Sequence, residues 1–255
     1  MTHSASFADL SGASVFISGG GSGIGAALTE GFLNQGARVA FIGRSDYTEF
    51  CDEMEKKTGI RPLFLQGDVT DTARLHAAMD EAEEAHGPLD VLVNNAANDL
   101  RFDPMEVTDE DWQSMMDVNL KHHYFASQHA AKSMKGRGGS IISFSSVAYV
   151  AGVPELSVYG TAKAGIVGMT RTLARAFGPD NIRMNAVLPG MVLTERQLKD
   201  WISEEDKEAQ LEKQCLKEAM GPQDMVGPVL FLASDASRMM TGQAVIVDAG
   251  VVSGP

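Results

Sequence analysis

Residues 13–36 read "ASVFISGGGSGIGAALTEGFLNQG". The run Ala13 to Ser18 is apolar almost throughout, which predicts a strand buried on both faces. A glycine-rich loop follows at once. From Gly23 the pattern changes to small and apolar residues at helical spacing, so the loop joins a buried strand directly to a helix. Gly19, Gly23 and Gly25 stand in a G-x-x-x-G-x-G spacing, with Gly21, Ser22 and Ile24 between them. Such a turn lets a pyrophosphate approach the backbone beside the N–H groups and positive dipole end of the helix. An ordinary glycine turn is the simpler alternative, and the strand before and the helix after favour dinucleotide binding.

The same alternation continues along the chain. Apolar stretches at 37–43, 61–68, 89–96, 140–146, 182–190 and 243–250 predict six further strands. Helical patterns lie between them at 70–87, from Asp109 to the "GRGG" at 136–139, and at 157–178, where Gly178-Pro179 ends the pattern. Strands of this kind separated by helices imply a doubly wound α/β fold, a seven-stranded parallel sheet covered on both faces. No linker, repeat or low-complexity segment interrupts residues 1–255, so a single domain is expected.

Composition narrows the function. Hydrophobic residues make up 44% of the chain and charged residues 22%, enough for a sizeable core. The formal net charge of −13 argues against nucleic acid and against an anionic membrane surface as partners. No basic-then-apolar leader and no apolar run near ~18 residues is present, which points to a cytoplasmic protein. Cys51 and Cys215 lie far apart, as two free thiols would, and no metal-ligand spacing is visible. His122 and His123 are adjacent and are expected to face different sides of a helix.

Three further features carry chemistry. Asp68, followed by Val69, ends the third strand. It can accept a hydrogen bond from an adenine amine or simply cap the turn at "GDVTD". "NNAA" (94–97) ends the fourth strand with Asn95 and Ala96 where a backbone would pass close to a ribose. "VYGTAKAG" (158–165) places Tyr159 four residues before Lys163, on one face of a helix. A lysine cation one turn from a phenol favours the phenolate and would bring the tyrosine towards neutral pH as a base. Taken alone, a half-buried tyrosine beside a solvated lysine is the more ordinary reading.

The glycine loop, "NNAA", "DVNL", "SFSS", "YGTAK" and "LPGMVLT" (188–194) occur in this order, and together they resemble the short-chain dehydrogenase/reductase family over nearly the whole length. The resemblance implies a Rossmann-type fold and a catalytic set of Asn119, Ser146, Tyr159 and Lys163. It selects Ser146 over Ser145, a choice the residues themselves leave open. It implies that Tyr159 exchanges the proton of a substrate hydroxyl, that Ser146 holds the same oxygen, and that Lys163 grips a cofactor ribose. Asn119 would hold a relaying water; otherwise it is an amide that distorts its helix. Pro189, Gly190, Val192 and Thr194 would hold the nicotinamide end. Ser18 replaces the family's usual threonine, and Ala97 replaces a usual glycine, which predicts a less permissive turn.

The second strand ends "FIGRS", with Gly43 where an acid would bind the ribose of NAD. Arg44 and Ser45 follow, and a guanidinium there suits the 2′-phosphate of NADP. NADP is therefore favoured, with NAD or dual use open. In the plainer alternative Arg44 is a surface charge that pairs with Asp46.

"NDLR" and "QCLK", among longer stretches, resemble the aldose 1-dehydrogenases of the family. The implied substrate is a neutral sugar oxidised at its anomeric carbon. Asn98, Ser146, Tyr159 and Arg196 are the candidate contacts, within a wider polar set of Asp99, Arg101, Glu155, Glu195, Gln197 and Lys217. Residues 194–220 are expected to form a helical lid whose inner face carries Trp201, Ile202, Leu211 and Leu216. The alternatives are a carbonyl reductase or alcohol dehydrogenase acting on a non-sugar substrate, an aldose bearing an anionic group, and a non-catalytic nucleotide sensor. A homotetramer is expected from the resemblance and the apolar C-terminal region.

Overall fold

The computed structural model describes residues 5–200 and 202–252. Strands β1 (Ser14–Ser18), β2 (Arg38–Gly43), β3 (Leu63–Gln66), β4 (Val91–Asn94), β5 (Gly139–Phe144), β6 (Ile182–Pro189) and β7 (Ala244–Val247) form one parallel sheet in the order β3-β2-β1-β4-β5-β6-β7. The strands occupy the predicted positions; β3, β4 and β7 are shorter at both ends, β1, β2 and β6 at one end, and β5 starts one residue earlier and ends two sooner. Alternate strand residues feed two cores. Phe16, Ile42, Leu92, Ile141 and Met184 pack under α3 (Thr72–His86), α5 (His122–Met134) and α7 (Ser157–Phe177). Ile17, Phe41, Val93, Phe144 and Val187 pack under α1 (Gly23–Asn34), α2 (Thr48–Thr58) and α10 (Val226–Ala233). This is the Rossmann-type architecture: the interiors of β1, β2, β4, β5 and β6 are buried because both faces are covered, while the edge strands β3 and β7 are mostly half-buried.

The strand order reverses between β1 and β4, which opens a crevice at their carboxyl ends. A buried hydroxyl fixes its floor. Ser18 Oγ accepts from the backbone N–H of Asn95 (3.0 Å) and of Ala96 (3.1 Å). The Asn95 amide in turn donates to the carbonyls of Ser18 (3.3 Å) and Gly19 (3.0 Å). The glycine loop and the "NNAA" turn are thereby one unit. Gly25 is required by packing, since a Cβ there would lie 1.8 Å from the Gly19 carbonyl oxygen. Ala97 adopts no left-handed backbone, so its turn does not need the glycine the sequence comparison suggested.

The long fourth helix predicted from Asp109 is broken. It runs as α4 (Asp109–Met116), a π-turn at Asp117–Lys121, and α5. Asn119 sits in the π-turn, fully buried. Its amide donates to the Met115 carbonyl (3.0 Å) and the Asn98 carbonyl (2.8 Å), while its oxygen accepts from Asn98 N–H (2.9 Å). The turn thus lets one side chain clamp the loop after β4. His122 and His123 do not face the different sides that their adjacency on a regular helix predicts. Both follow the π-turn, both are buried, and their rings lie 4.3 Å apart. Burial keeps both neutral, with His122 pushed down to about 4, and its Nε2 meets the Ala96 carbonyl at 2.9 Å.

The lid is helical at α8 (Glu195–Asp200) and α9 (Glu204–Lys213), and not from 214 to 220. A four-residue α6 (Ala148–Ala151) follows β5. Ile202 is buried and Leu211 half-buried, but Leu216 is 67% exposed and belongs to no inner face. Trp201 lies outside the described residues.

Ser18→Ala leaves two buried backbone N–H groups without an acceptor. Each such loss costs about 1–3 kcal/mol, so urea unfolding of the variant should show a drop of that order, and Ser18→Thr should recover it. An Ala variant as stable as the parent would remove Ser18 from this role.

Candidate active site

Lys163 is the least ordinary side chain in the molecule. It is 1% exposed, not solvated. Its ammonium donates to the Phe144 carbonyl at the end of β5 (2.8 Å) and lies 5.3 Å from the centroid of the Tyr159 ring. Residues 159 and 163 share a face of α7, so burying one orients the other. The two serines now separate physically. Ser145 is 3% exposed and donates to the Lys163 carbonyl (2.7 Å), which ties β5 to α7. Ser146 accepts from Ala148 N–H (3.1 Å) and hydrogen-bonds the Tyr159 hydroxyl. The structure thus brings Ser146, Tyr159 and Lys163 together. Asn119 stands behind them through its clamp on Asn98.

The electrostatics differ from the sequence expectation. Tyr159 is not drawn down towards neutrality by Lys163. Burial pushes its pKa up, the Asp99 carboxylate pushes it further, and the Ser146 hydrogen bond and Arg196 charge oppose them. Lys163 is itself pulled down to about 7 by burial, with Asp99 opposing. Desolvation disfavours both charged forms, so near pH 7 the ammonium is no permanent cation.

The other wall is polar and comes from the loop after β4 and the start of the lid. Arg196 donates to the side-chain oxygen of Asn98 (3.0 Å) and pairs with Asp99. Gln197 donates to the second oxygen of the same carboxylate. Asp99 belongs to the wider polar set read from the sequence, and no local spacing links it to Arg196. Arg101 acts on Asp206 of α9 electrostatically. Glu155 receives Phe102 N–H at its backbone carbonyl (2.9 Å), and Lys217 donates to the Leu211 and Glu212 carbonyls, 2.9 Å each, away from this wall.

A dinucleotide fits the crevice on the following observations. Ser22 is the N-cap of α1, and its side chain makes no cap hydrogen bond, leaving the first-turn N–H groups to an anion. Gly19 lies against Ala96, where a Cβ would approach to 3.2 Å, and a Cβ on Gly23 would lie 3.3 Å from the Thr194 methyl. Ile24 is half-buried beside them, and Val69 is 7% exposed. Pro189 and Gly190 end β6, and Gly190 N–H donates to the Val247 carbonyl. Val192 bridges Met220, and Thr194 Oγ accepts from Gln197 N–H (3.2 Å), so it also caps the lid. Asp68 spends one oxygen on Thr70 (2.9 and 2.8 Å) and turns the other to Arg44 at 3.8 Å. Arg44 therefore faces Asp68 and not Asp46, whose carboxylate is held by Thr48. Ser45 is exposed beside it. Among the described residues no group of three His, Cys, Asp or Glu is placed to hold a metal ion.

Unfolded lysine keeps its proton to about its ordinary 10.5, and folded Lys163 only to about 7. Between these values the unfolded chain binds more protons, so this residue makes stability rise with pH. Urea unfolding of the parent and Lys163→Met at pH 7 and 9.5 should show the parent gaining on the variant. Parallel behaviour of the two would contradict the depressed lysine.

A family model described as enoyl-(acyl carrier protein) reductase matches residues 19–252. The chain is 49% identical over 251 residues to a probable galactose dehydrogenase of Rhizobium meliloti (strain 1021), covering 97% of this chain and 98% of the relative. It is 43% identical over 249 residues to a D-xylose 1-dehydrogenase of Caulobacter vibrioides, covering 97% and 98%. The solved structure of L-sorbose reductase from Gluconobacter frateurii, complexed with NADPH and L-sorbose, is similar at a TM-score of 0.89 and 27% identity, covering 97% of this chain and 100% of that one.

Proposed function

The chain belongs to the short-chain dehydrogenase/reductase family, an NAD(P)-dependent oxidoreductase by that membership, and from this premise we propose that it oxidises a neutral aldose at the anomeric carbon to the aldonolactone. The observation that carries the reading is the facing of two walls. The Tyr159–Ser146 hydroxyl pair stands on one side, and the polar set Asn98, Asp99, Arg196 and Gln197 on the other. A ring-form aldose presents a hydroxyl on a carbon that bears hydrogen, together with further hydroxyls for the polar wall. The names of the two curated relatives support the sugar class.

Arg196 favours a neutral sugar over an anionic one. Its guanidinium is already matched by the Asp99 carboxylate, so an anionic substituent would have to displace that pair, and the acidic chain repels anions at long range.

Bound nicotinamide supplies the hydride acceptor. Tyr159 takes the proton of the anomeric hydroxyl, and Ser146 donates to the same oxygen as it gains carbonyl character. Tyr159 and Lys163 act as a coupled pair. Lys163 is neutral above about 7, so Tyr159 passes its own phenolic proton to the lysine amine as it takes the proton of the anomeric hydroxyl. Asn119, through Asn98, fixes the loop that carries the polar wall. Arg44 favours NADP, because with Gly43 at the end of β2 no carboxylate stands there for the ribose of NAD. We also assign a homotetramer, supported by exposed apolar side chains such as Met239 (82%) in the C-terminal region.

A spectrophotometric screen of neutral and anionic aldoses with both cofactors should show reduced nicotinamide forming from a neutral aldose. Tyr159→Phe should lower turnover by about a hundredfold or more, as expected for removal of a general base, with cofactor binding kept. Turnover of ketones alone would remove the sugar reading. Sedimentation velocity at micromolar concentration should give a tetramer, and a monomer would refute that assignment.

A further inference from the structure

The ring of Tyr47 is wedged between two glycines that belong to different elements. A Cβ on Gly21, in the glycine loop, would lie 2.4–2.6 Å from one edge of the ring. A Cβ on Gly43, the last residue of β2, would lie 2.6 Å from the other edge, at Cε2. Neither glycine has a left-handed backbone, so conformation does not demand glycine at either place. What each lacks is room, and Tyr47 has taken it.

The ring cannot easily yield. It packs edge-on against Phe41 (centroids 5.8 Å) and Phe64 (5.5 Å), which are themselves in contact at 5.4 Å. Its backbone precedes α2 in a turn held by Asp46, whose carboxylate accepts from Thr48 N–H (2.9 Å) and Oγ (2.6 Å). Position 43 is where an acid would grip the two ribose hydroxyls of NAD in this type of fold. With Tyr47 in place that acid has no volume to occupy. Arg44 and its partner Asp68 stand at this end, and the Asp46 carboxylate is taken up by Thr48.

We propose that Tyr47 is the specificity-determining residue for the adenosine end of the cofactor. It excludes any side chain at position 43, which closes the NAD-type solution and leaves Arg44 to recognise a 2′-phosphate. This rests on the family's use of NAD(P) and deepens the NADP preference assigned above. It moves the cause from Arg44 alone to a wedge three residues further on.

Isothermal titration calorimetry of NADPH and NADH with Gly43→Asp, Tyr47→Ala and the double variant tests this without turnover. Gly43→Asp alone should weaken both cofactors by about tenfold with their ratio little changed, because the displaced ring disturbs the loop that both share. In the double variant the carboxylate gains room. NADH binding should return to about the parental level, and the NADPH:NADH affinity ratio should fall by about tenfold or more, since a carboxylate repels the 2′-phosphate. If Gly43→Asp alone shifts the ratio as far as the double variant, or the double variant leaves it at the parental value, the wedge is overturned. Arg44→Ala separates the underlying reading: equal losses for both cofactors there would refute 2′-phosphate recognition by Arg44, whatever the wedge variants do. Gly43→Ala guards against misfolding of the aspartate variants. It should lower the melting temperature in the parent and not in Tyr47→Ala, and equal lowering in both backgrounds would likewise overturn the proposal.

Discussion

A lysine that is 1% exposed must find its solvation inside the protein, and Lys163 finds it at the Phe144 carbonyl, 2.8 Å away at the end of β5. That bond links the middle of the sheet to α7, and Ser145 doubles it by donating to the Lys163 carbonyl. With α7 held at this rotation, Tyr159 stands one turn earlier on the same face, and its hydroxyl meets Ser146 on the loop leaving β5. The proposed acid–base group is therefore not a loop feature placed by chance. Its geometry follows from burying one cation where a strand ends.

The opposite side of the crevice is built by a second chain of contacts. Ser18 joins the glycine loop to the "NNAA" turn, and Asn119, made available by the π-turn, clamps Asn98. Asn98 and Asp99 then hold Arg196 and Gln197 at the start of the lid. These contacts, joined by the backbone from Ala96 to Asn98, connect the sheet to the lid. The Asp99 carboxylate closing it is also the charge that most strongly opposes the desolvation of Lys163.

Much of this was legible in the chain, and the limits have physical causes. The strands were readable because the five inner ones are buried on both faces and the two edge strands, half-buried, keep the same apolar composition. The glycine loop and the Tyr159–Lys163 spacing are local, and local spacing survives in sequence. The Asp99–Arg196 pair joins residues 97 positions apart, which no periodicity encodes. The choice of Ser146 needs the Lys163 carbonyl that occupies Ser145. The upward shift of Tyr159 and the downward shift of Lys163 both come from burial, which the spacing of the two residues does not encode. The wedge at Tyr47 looked like two glycines in two motifs, and their common cause lies between them in space. The lid was overextended because Leu216 continues a helical pattern that the chain abandons at Gln214.

The most direct measurement of the central claim follows one atom. An aldose carrying deuterium at C1 would be turned over with the oxidised cofactor, and the reduced cofactor examined by proton NMR and mass spectrometry. The account predicts one deuterium on the nicotinamide ring of the product cofactor and none retained in the lactone. Reduced cofactor free of deuterium, formed at the same rate from that sugar, would contradict oxidation at the anomeric carbon.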